Sequence, residues 1–538
     1  MPIRSEPQDV VVSLPEVFNL CSYFLDHNLD EGRGDKVALI CGEERRTYRQ
    51  IAARVERLTA AFRELGLRAE ERVLIVLPDG VEFVESWFAT LRAGGVFAMV
   101  NPLQKAESLA YTIEYVKPRI VVVDSSVLPE IADAVGSSRF AEHLIVVGGG
   151  AELPDYEALI EAQPTGPAAG FVEPTGPDDL AGWLFTSGST GKPKACVHTH
   201  GDFAFSTETY ALQVAGYRED DVCISVPKLF FGYATGTNLM FPFRVGAQVV
   251  LFPGRSTADE LLDQIERHRP TFMTGVPTLF GSMLQSERVD GADLSSLRVC
   301  LSAGEALPAE LYTEWKARTG VEILDGIGSA EMFHIYISNR VDDVKLGSLG
   351  KLVPGYEAEI VGPDGQALPT GELGRLRIAG GSTALCYWGD KDQSNATFQG
   401  RWCTTADVFR CDDEGYFTYH GRDDDLLKVS GIWVSPLEIE NALLGHLAVA
   451  EVCVVGHAGP DQLVKPMAFV VVAEGYRGGE ELAQELKAHV KSILAPYKYP
   501  RWFEWRDNLP KNDRGKVARK DLKRELEPAG TREPSGRS

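Results

Sequence analysis

The feature that most constrains the fold is a regular alternation of short apolar runs with longer amphipathic ones. "RVLIVLP", "VFAMVNP", "PRIVVVD" and "HLIVVGG" have the length and the β-branched composition of buried strands. The segments "TYRQIAARVERLTAAFRELG" and "GVEFVESWFATLRAGG" place apolar residues at helical spacing before and between the first two runs. Strands that alternate with helices predict parallel sheets covered on both faces, so the predicted fold class is α/β.

The chain is too long for one hydrophobic core. It has 538 residues, which predicts at least two domains. From about residue 345 the sequence becomes rich in Gly and Pro and alternates as strands do. We predict a large N-terminal region over residues 1–423, with two sheet-and-helix layers and a β-rich subdomain at about 345–423. A small α+β domain over 424–525 and a disordered tail over 526–538 complete the prediction.

Composition and charge exclude several classes of protein. The chain has 54 Lys and Arg against 77 Asp and Glu, a net charge of -23, which opposes a nucleic-acid-binding surface. The nine cysteines form no CxxC pair, which argues against a zinc site or a disulfide framework. No apolar run reaches the ~18 residues of a membrane span, and the N-terminus resembles no signal peptide. We expect a cytoplasmic protein without a membrane or nucleic-acid partner.

The stretch "TSGSTGKPK", residues 186–194, concentrates hydroxyls, glycines and two lysines directly after an apolar run. It is not a Walker A loop, because Thr186 stands where that pattern needs its first glycine and Pro193 follows the first lysine. Its chemistry still suits phosphate, since glycines let the backbone approach an anion and lysines supply charge. Taken alone, a solvated Ser/Gly loop explains it equally well.

The string resembles the adenylate-forming enzymes, which include acyl-CoA synthetases, adenylation domains of peptide synthetases and luciferases. Further motifs of that superfamily follow in the same order: "SAGEAL", "DGIGSAE", "WCTTAD", "GRDDDLLKVSG" and "LPKNDRGKVAR". Within the superfamily the chain is most similar to benzoate- and hydroxybenzoate-CoA ligases, through "KLFFGY", "EMFHIYISN", "LLKVSGIWVSP" and "LAPYKYPRW". The resemblance covers nearly the whole chain.

The resemblance implies a nucleotide site made from several motifs. The glycine-rich turn would clamp the β- and γ-phosphates, two later motifs would line the adenine, and an aspartate and an arginine would bind the ribose and phosphate. These residues are Thr186, Ser187, Gly188, Ser189, Thr190, Gly191, Lys194, Ala303, Gly304, Glu305, Asp325, Gly326, Ile327, Gly328, Ser329, Asp407 and Arg422.

It also implies which residues act on the reacting groups. Lys516 would bridge the acid and the α-phosphate, Glu331 would hold Mg²⁺, and Thr190 would act beside them. Asp424 matches the hinge about which the small domain turns, and Gly431 lies on the expected path of CoA.

The pocket for the acid is implied by the same resemblance. The residues expected against an aromatic acid are Phe231, Gly232, Tyr233, His334, Ile335 and Lys428, and ordinary core packing is the alternative for each. His198 and His200, in "HTH", are predicted to be structural.

Two positions depart from the superfamily pattern. Ala330 stands where a threonine usually precedes the magnesium carboxylate, so one hydroxyl for the AMP phosphate is missing, and Ser329 could replace it. Ala406 stands where a glycine usually precedes the ribose aspartate.

Three functions remain open from the sequence. The first is ATP- and Mg²⁺-dependent adenylation of an aromatic acid followed by thioester formation with CoA. The second keeps adenylation but loads a carrier protein, or activates nitrite for diazotisation of an aryl amine. The third is a nucleotide-binding protein without catalysis, against which Lys516, Glu331 and Asp407 argue. The ring substituents of the acid and the oligomeric state, including a homodimer, also stay open.

Overall fold

The alternation predicted from the sequence is present in the computed structural model. It describes residues 2–5, 12–149, 154–164, 170–187, 192–305, 307–429, 432–459, 463–495, 497–511 and 517–526. Within them the strands are β1 (Ile3–Arg4), β2 (Val37–Cys41), β3 (Glu44–Thr47), β4 (Arg72–Val76), β5 (Val96–Met99), β6 (Ile120–Asp124), β7 (His143–Val147), β8 (Leu180–Ser187), β9 (Pro193–Thr199), β10 (Val222–Ser225), β11 (Gln248–Leu251), β12 (Phe272–Gly275), β13 (Val299–Ala303), β14 (Ile323–Gly328), β15 (Ile335–Ser338), β16 (Lys351–Leu352), β17 (Glu357–Val361), β18 (Gly374–Ala379), β19 (Cys386–Tyr387), β20 (Phe398–Gln399), β21 (Trp402–Cys411), β22 (Phe417–Arg422), β23 (Leu427–Val429), β24 (Ile432–Val434), β25 (Val449–Ala458), β26 (Val464–Val472) and β27 (Trp502–Arg506).

The α-helices of the same residues lie between these strands. They are α1 (His27–Asp30), α2 (Tyr48–Glu64), α3 (Val81–Arg92), α4 (Ala106–Val116), α5 (Leu128–Ser137), α6 (Tyr156–Glu161), α7 (His200–Ser206), α8 (Gly232–Thr235), α9 (Phe241–Val245), α10 (Ala258–His268), α11 (Pro277–Gln285), α12 (Ala309–Thr319), α13 (Lys391–Thr397), α14 (Pro436–Leu444), α15 (Glu480–Ile493) and α16 (Arg519–Glu525). No helix in this part of the chain is both long and apolar enough to cross a membrane.

Local sequence explains where the helices begin. Thr47 caps α2 by accepting from the backbone N–H of Gln50, whose side chain returns a bond to the Thr47 backbone. Helix α14 begins in a similar way, because the Ser435 side chain accepts from the Glu438 N–H and Pro436 opens the helix.

Residue contacts divide the chain into two units. The first comprises Met1–Glu359, Arg377–Thr404 and Glu414–Tyr416, and the second comprises Ile360–Leu376, Thr405–Asp413 and Phe417–Ser538. The boundary predicted at residue 423 stays a prediction.

The first unit holds two large sheets of the predicted kind. One runs in the order β19-β9-β8-β5-β4-β6-β7 and the other β16-β15-β14-β13-β12-β10-β11-β2-β3. Their central strands pair in parallel, as predicted, whereas the edges formed by β9, β19, β15, β16 and β3 pair antiparallel. Val and Leu side chains such as Leu74, Val76, Val121 and Val123 are fully buried against the helices. Such burial contributes about 1.5–3 kcal/mol per side chain.

The second unit contains a smaller sheet in the order β25-β26-β27, with β25 and β26 antiparallel and β26 and β27 parallel. Helices α14 and α15 pack on it through a common apolar core that includes Ile439, Leu443, Leu486 and Val490. Strands β21 and β22 pair antiparallel, with Asp407 opposite Arg422. This content matches the predicted α+β character of the C-terminal region.

Candidate active site

The stretch singled out in the sequence lies between two paired strands. β8 and β9 run antiparallel, with Thr186 directly opposite Lys194 and Ser187 opposite Pro193. Cross-strand neighbours lie on the same face of a ladder, so the Thr186 hydroxyl and the Lys194 chain start from one face. The predicted residues Gly188, Ser189, Thr190 and Gly191 lie outside the described residues, as does the side chain of Ser187.

Two tyrosines of α4 brace the beginning of β9. The rings of Tyr111 and Tyr115 stack with their centroids 5.5 Å apart. The Tyr111 hydroxyl donates to the Pro193 carbonyl at 3.2 Å, and the Tyr115 hydroxyl accepts from the Ala195 N–H at 3.2 Å. The same Tyr115 hydroxyl donates to the Trp388 carbonyl at 2.6 Å. These bonds fix the strand that leads out of the predicted phosphate loop, and the sequence analysis did not identify either tyrosine.

Glu331, the predicted magnesium ligand, lies in a short 3₁₀ turn over Ala330–Met332. Its Oε1 accepts from the Tyr387 hydroxyl at 2.7 Å, and its carbonyl accepts from the Ala384 N–H at 2.8 Å. The Lys194 ammonium lies 3.5 Å from the centroid of the same Tyr387 ring. A predicted phosphate-binding lysine and a predicted metal ligand therefore meet on one tyrosine.

The donor set suits Mg²⁺ bound with a nucleotide. Among the described residues no group of three or more His, Cys, Asp or Glu side chains could hold a metal ion. Mg²⁺ in nucleotide sites is usually bound by one or two carboxylates together with substrate phosphates. One carboxylate at Glu331, beside a lysine that can face phosphate, fits that arrangement.

Position 330, where the sequence lacks the usual threonine, is held by a buried histidine. His198 is fully buried, with Nδ1 2.7 Å from Asp202 Oδ2 and Nε2 2.7 Å from the Ala330 carbonyl. Both ring nitrogens thus face acceptor oxygens, and the ring ties the end of β9 to the turn that carries Glu331. The hydroxyl of Ser329 is buried without a partner among the described residues.

The two motifs predicted to line the adenine end neighbouring parallel strands. β13 and β14 pair with Ser302 opposite Asp325 and Ala303 opposite Gly326, so Gly304 and Glu305 follow at the same edge. Such an edge is where ligands bind in open α/β sheets. The Glu305 carboxylate is held by the Thr278 hydroxyl at 2.6 Å. Burial raises the pKa of Asp325 to about 7.

Gly328 connects this strand to the predicted acid pocket. A Cβ at Gly328 would lie 2.5 Å from the His334 carbonyl, so only glycine fits there. The strand β15 that begins at Ile335 pairs with β14 and is buried. The Gly328 backbone and the histidine are therefore adjacent, as the predicted roles of these residues require.

The structure brings His334 and Tyr233 together. His334 Nε2 donates to the Tyr233 carbonyl at 3.1 Å, and the ring lies so close to Gly236 that a Cβ there would be 2.5 Å away. Burial lowers the pKa of His334 to about 3, so the ring is neutral and carries its proton on Nε2. His334 Nδ1 and the Tyr233 hydroxyl are buried without partners in the described residues. Gly232 opens α8 beside Tyr233, and Phe231 caps that helix.

The remaining predicted residues belong to the second unit. Asp407 and Arg422 are direct neighbours across the β21–β22 ladder. Asp424 lies in a 3₁₀ turn, and its carbonyl accepts from the Lys523 ammonium at 3.1 Å. Gly431 and Lys516 lie outside the described residues, as does the side chain of Lys428.

Comparison with known proteins follows this geometry. The family described as AMP-binding enzyme matches residues 25–388, and its C-terminal domain matches residues 438–516. The chain belongs to the AMP-binding enzyme family. This AMP-binding enzyme is 44% identical over 514 residues to the benzoate–CoA ligase of Thauera aromatica, covering 95% of this chain and 97% of that one. It is 39% identical over 506 residues to a 4-hydroxybenzoate–CoA/benzoate–CoA ligase of Rhodopseudomonas palustris, covering 93% of each.

Solved structures of other family members share the fold. The AMP-binding enzyme matches the anthranilate CoA ligase AuaEII, in complex with anthranoyl-AMP, with a TM-score of 0.90 at 38% identity over 95% of this chain and 98% of that one. It matches a benzoate CoA ligase from Burkholderia xenovorans LB400 with a TM-score of 0.86 at 40% identity over 94% and 99%. The predicted α/β fold and the predicted resemblance to adenylate-forming enzymes, benzoate-CoA ligases among them, are confirmed.

Proposed function

We propose that this AMP-binding enzyme is an aryl-acid–CoA ligase. It adenylates an aromatic carboxylic acid with ATP, releases pyrophosphate, and transfers the acyl group to the thiol of CoA. The observation that carries the proposal is the junction of Lys194, Tyr387 and Glu331 beside the β8–β9 turn. Relatives at 44% and 39% identity whose names specify benzoate–CoA ligation support the choice of acid and acceptor.

In the first half-reaction a carboxylate oxygen forms a bond to the α-phosphorus of ATP, and the bond to the bridging oxygen of pyrophosphate breaks. The obstacle is repulsion between anions, so the site must supply positive charge where charge develops. Lys194 supplies it at the phosphates, and Lys516 is assigned to the α-phosphate and the attacking carboxylate. Mg²⁺, held by Glu331, would neutralise phosphate charge when bound.

In the second half-reaction the CoA sulfur forms a bond to the acyl carbon and AMP leaves with the electron pair of the broken C–O bond. Lys516 must then be away from the acyl phosphate, which is the reason for assigning a hinge to Asp424 and a CoA path to Gly431. Asp407 and Arg422 are assigned to the ribose and phosphate of AMP throughout.

The acid pocket suits a flat ring that carries a hydrogen-bond donor. Tyr233 and His334 offer aromatic faces, and the unpaired Nδ1 of the neutral His334 is an acceptor. A ring amino or hydroxyl group could donate to it, whereas unsubstituted benzoate would leave it unpaired. Sites built to bond a polar group discriminate against the analogue that lacks it.

The test is ATP–pyrophosphate exchange with benzoate, hydroxybenzoates and aminobenzoates, followed by mass spectrometry of the CoA thioester. We expect exchange with at least one of these acids and a thioester with CoA. Exchange without a thioester would replace CoA by a carrier-protein thiol. ATP consumption by nitrite and an aryl amine, with no exchange on any aromatic acid, would overturn the proposal.

The role of Lys516 has its own measurement. Lys516→Ala should lower the exchange rate about 10²–10³-fold, the usual cost of removing one electrostatic stabiliser of a transition state. Lys520→Ala, at an exposed lysine of α16, is the matched control and should leave the rate unchanged. Equal rates for Lys516→Ala and the wild type would refute the assigned mechanism.

A further inference from the structure

The tyrosine that joins Lys194 to Glu331 is built into the protein by a pairing between distant segments. β19 pairs antiparallel with β9, which places Tyr387 opposite Cys196, two residues beyond Lys194. The Tyr387 side chain is 4% exposed and packs with Cys196 and Ala384, and its ring centroid lies 5.1 Å from that of Phe398. Packing therefore fixes the Tyr387 ring at the sheet edge, and its position does not depend on its contacts with Lys194 and Glu331.

The contacts that Tyr387 makes differ in chemistry. Its hydroxyl donates to one oxygen of Glu331, which orients the carboxylate plane and leaves the other oxygen for a cation. Its ring face lies 3.5 Å from the Lys194 ammonium, a cation–π contact that restricts where that charge can lie.

We propose that Tyr387 is a positioning residue that sets both the carboxylate of Glu331 for the metal and the ammonium of Lys194 for the nucleotide phosphates. The inference rests on the proposed function, since it takes Glu331 as the metal ligand and Lys194 as a phosphate contact. Partners that orient a metal-binding side chain typically change metal affinity or activity by about 10–100-fold when removed.

The chain offers a matched control with the same local construction. The Tyr416 hydroxyl donates to the Asp343 carboxylate, and the Lys351 and Lys345 ammonium groups lie 4.3 and 4.5 Å from its ring centroid. Neither Tyr416 nor Asp343 is among the residues placed in the nucleotide or acid site. Tyr416→Phe therefore reports the general cost of losing a tyrosine–carboxylate bond under a lysine.

The variants separate the two contacts. Tyr387→Phe keeps the ring under Lys194 and removes the hydroxyl that donates to Glu331. Tyr387→Leu removes both. Metal binding is followed by the electron paramagnetic resonance signal of free Mn²⁺, titrated into each protein with α,β-methylene-ATP. The rate of ATP–pyrophosphate exchange is measured as a function of the Mg²⁺ concentration and of the ATP concentration. Thermal melting checks that each variant folds.

We expect Tyr387→Phe to weaken Mn²⁺ binding about tenfold with little change in the KM for ATP. Tyr387→Leu should also raise the KM for ATP about threefold or more, because the cation–π contact is lost. Glu331→Gln should weaken Mn²⁺ binding, and adding Tyr387→Phe to it should cause no further loss. Tyr416→Phe should match the wild type in both measurements.

The outcomes distinguish this inference from the function beneath it. If Glu331→Gln weakens Mn²⁺ binding and Tyr387→Phe does not, the positioning role of Tyr387 is wrong, but Glu331 remains the metal ligand. If Glu331→Gln binds Mn²⁺ as the wild type does, the metal assignment fails first. Additive losses in the double variant, or an equal loss in Tyr416→Phe, would also overturn the inference. If Tyr387→Leu fails to fold, Tyr387→Phe still decides the metal contact.

Discussion

Replacing His334 should change how the stability of the first unit depends on pH. The ring is 2% exposed, and burial lowers its pKa from 6.5 to about 3. The unfolded chain binds a proton at this residue below pH 6.5, whereas the folded chain stays neutral. The neutral His334 ring therefore makes its full contribution to the unfolding free energy above pH 6.5, and this contribution is lost as the pH falls from 6.5 towards 3. Between pH 7.5 and 5.0 the loss is about 2 kcal/mol of unfolding free energy.

His334→Gln removes the titration and keeps a side-chain N–H that can donate to the Tyr233 carbonyl. Urea denaturation at pH 7.5 and 5.0, followed by fluorescence, gives for each protein the difference in unfolding free energy between the two pH values. Several titrating groups contribute to the pH dependence of the wild-type unfolding free energy. The raised pKa of Asp325, for example, acts in the opposite direction to that of His334. The difference between variant and wild type isolates the histidine, and the variant should lose about 2 kcal/mol less.

His143→Gln is the control, at a half-buried histidine that begins β7. It should follow the wild type at both pH values. Equal losses for wild type and His334→Gln would show that burial does not hold the ring neutral. The donor and acceptor assignment of the acid pocket would then fail with it.

Two further substitutions test the residue before Glu331 and a buried carboxyl of the first unit. Ala330→Thr restores the hydroxyl that the superfamily pattern places before the metal carboxylate, and one bond to a charged phosphate should raise the exchange rate about tenfold; an unchanged rate would mean that Ser329 already supplies the hydroxyl. Asp79 is buried, its Oδ1 accepts from the Leu229 N–H at 2.7 Å, and burial raises its pKa to about 6. Because its folded pKa is raised, the stability that this carboxyl contributes when protonated is lost as the pH rises from about 4 through about 6, so Asp79→Asn should gain up to about 3 kcal/mol at pH 8 in urea denaturation. A loss at pH 8 would instead indicate a stabilising pair with Lys228.

Periodicity predicted the strands of the parallel core because each is a local apolar run of the expected length. The segments from "RVLIVLP" to "HLIVVGG" are β4 to β7. The edges were not predicted, since β9 is rich in polar residues and β19 spans only Cys386–Tyr387. Such strands exist because a neighbouring strand offers unpaired backbone groups, which no local pattern records.

The candidate site also combines residues that the sequence motifs predicted with residues that they did not. Motif spacing led to Glu331 and Lys194, but the tyrosine that joins them lies more than fifty residues from either. Tyr387 belongs to the segment "CYWGD", which contains nothing typical of a nucleotide site. Its role depends on the register of β19 against β9, a contact between distant parts of the chain. Tyr111 and Tyr115 were missed for the same reason, since on α4 they look like ordinary members of an amphipathic helix.

Three of the buried histidines, His198, His200 and His334, show why residue type alone does not identify a ligand contact. His198 uses both ring nitrogens on Asp202 and the Ala330 carbonyl, so it can act only through the turn it holds. His200, at the start of α7, accepts from the Leu20 N–H through Nδ1, so its Nε2 carries the proton and is buried without a partner among the described residues. His334 donates through Nε2 to the Tyr233 carbonyl, and its Nδ1 is unpaired among the described residues. A buried unpaired acceptor costs about 1–3 kcal/mol, which a donor on a bound ring can recover. His198 therefore holds the turn that carries Glu331, whereas His334 keeps an unpaired acceptor beside Tyr233, a residue predicted to contact the acid.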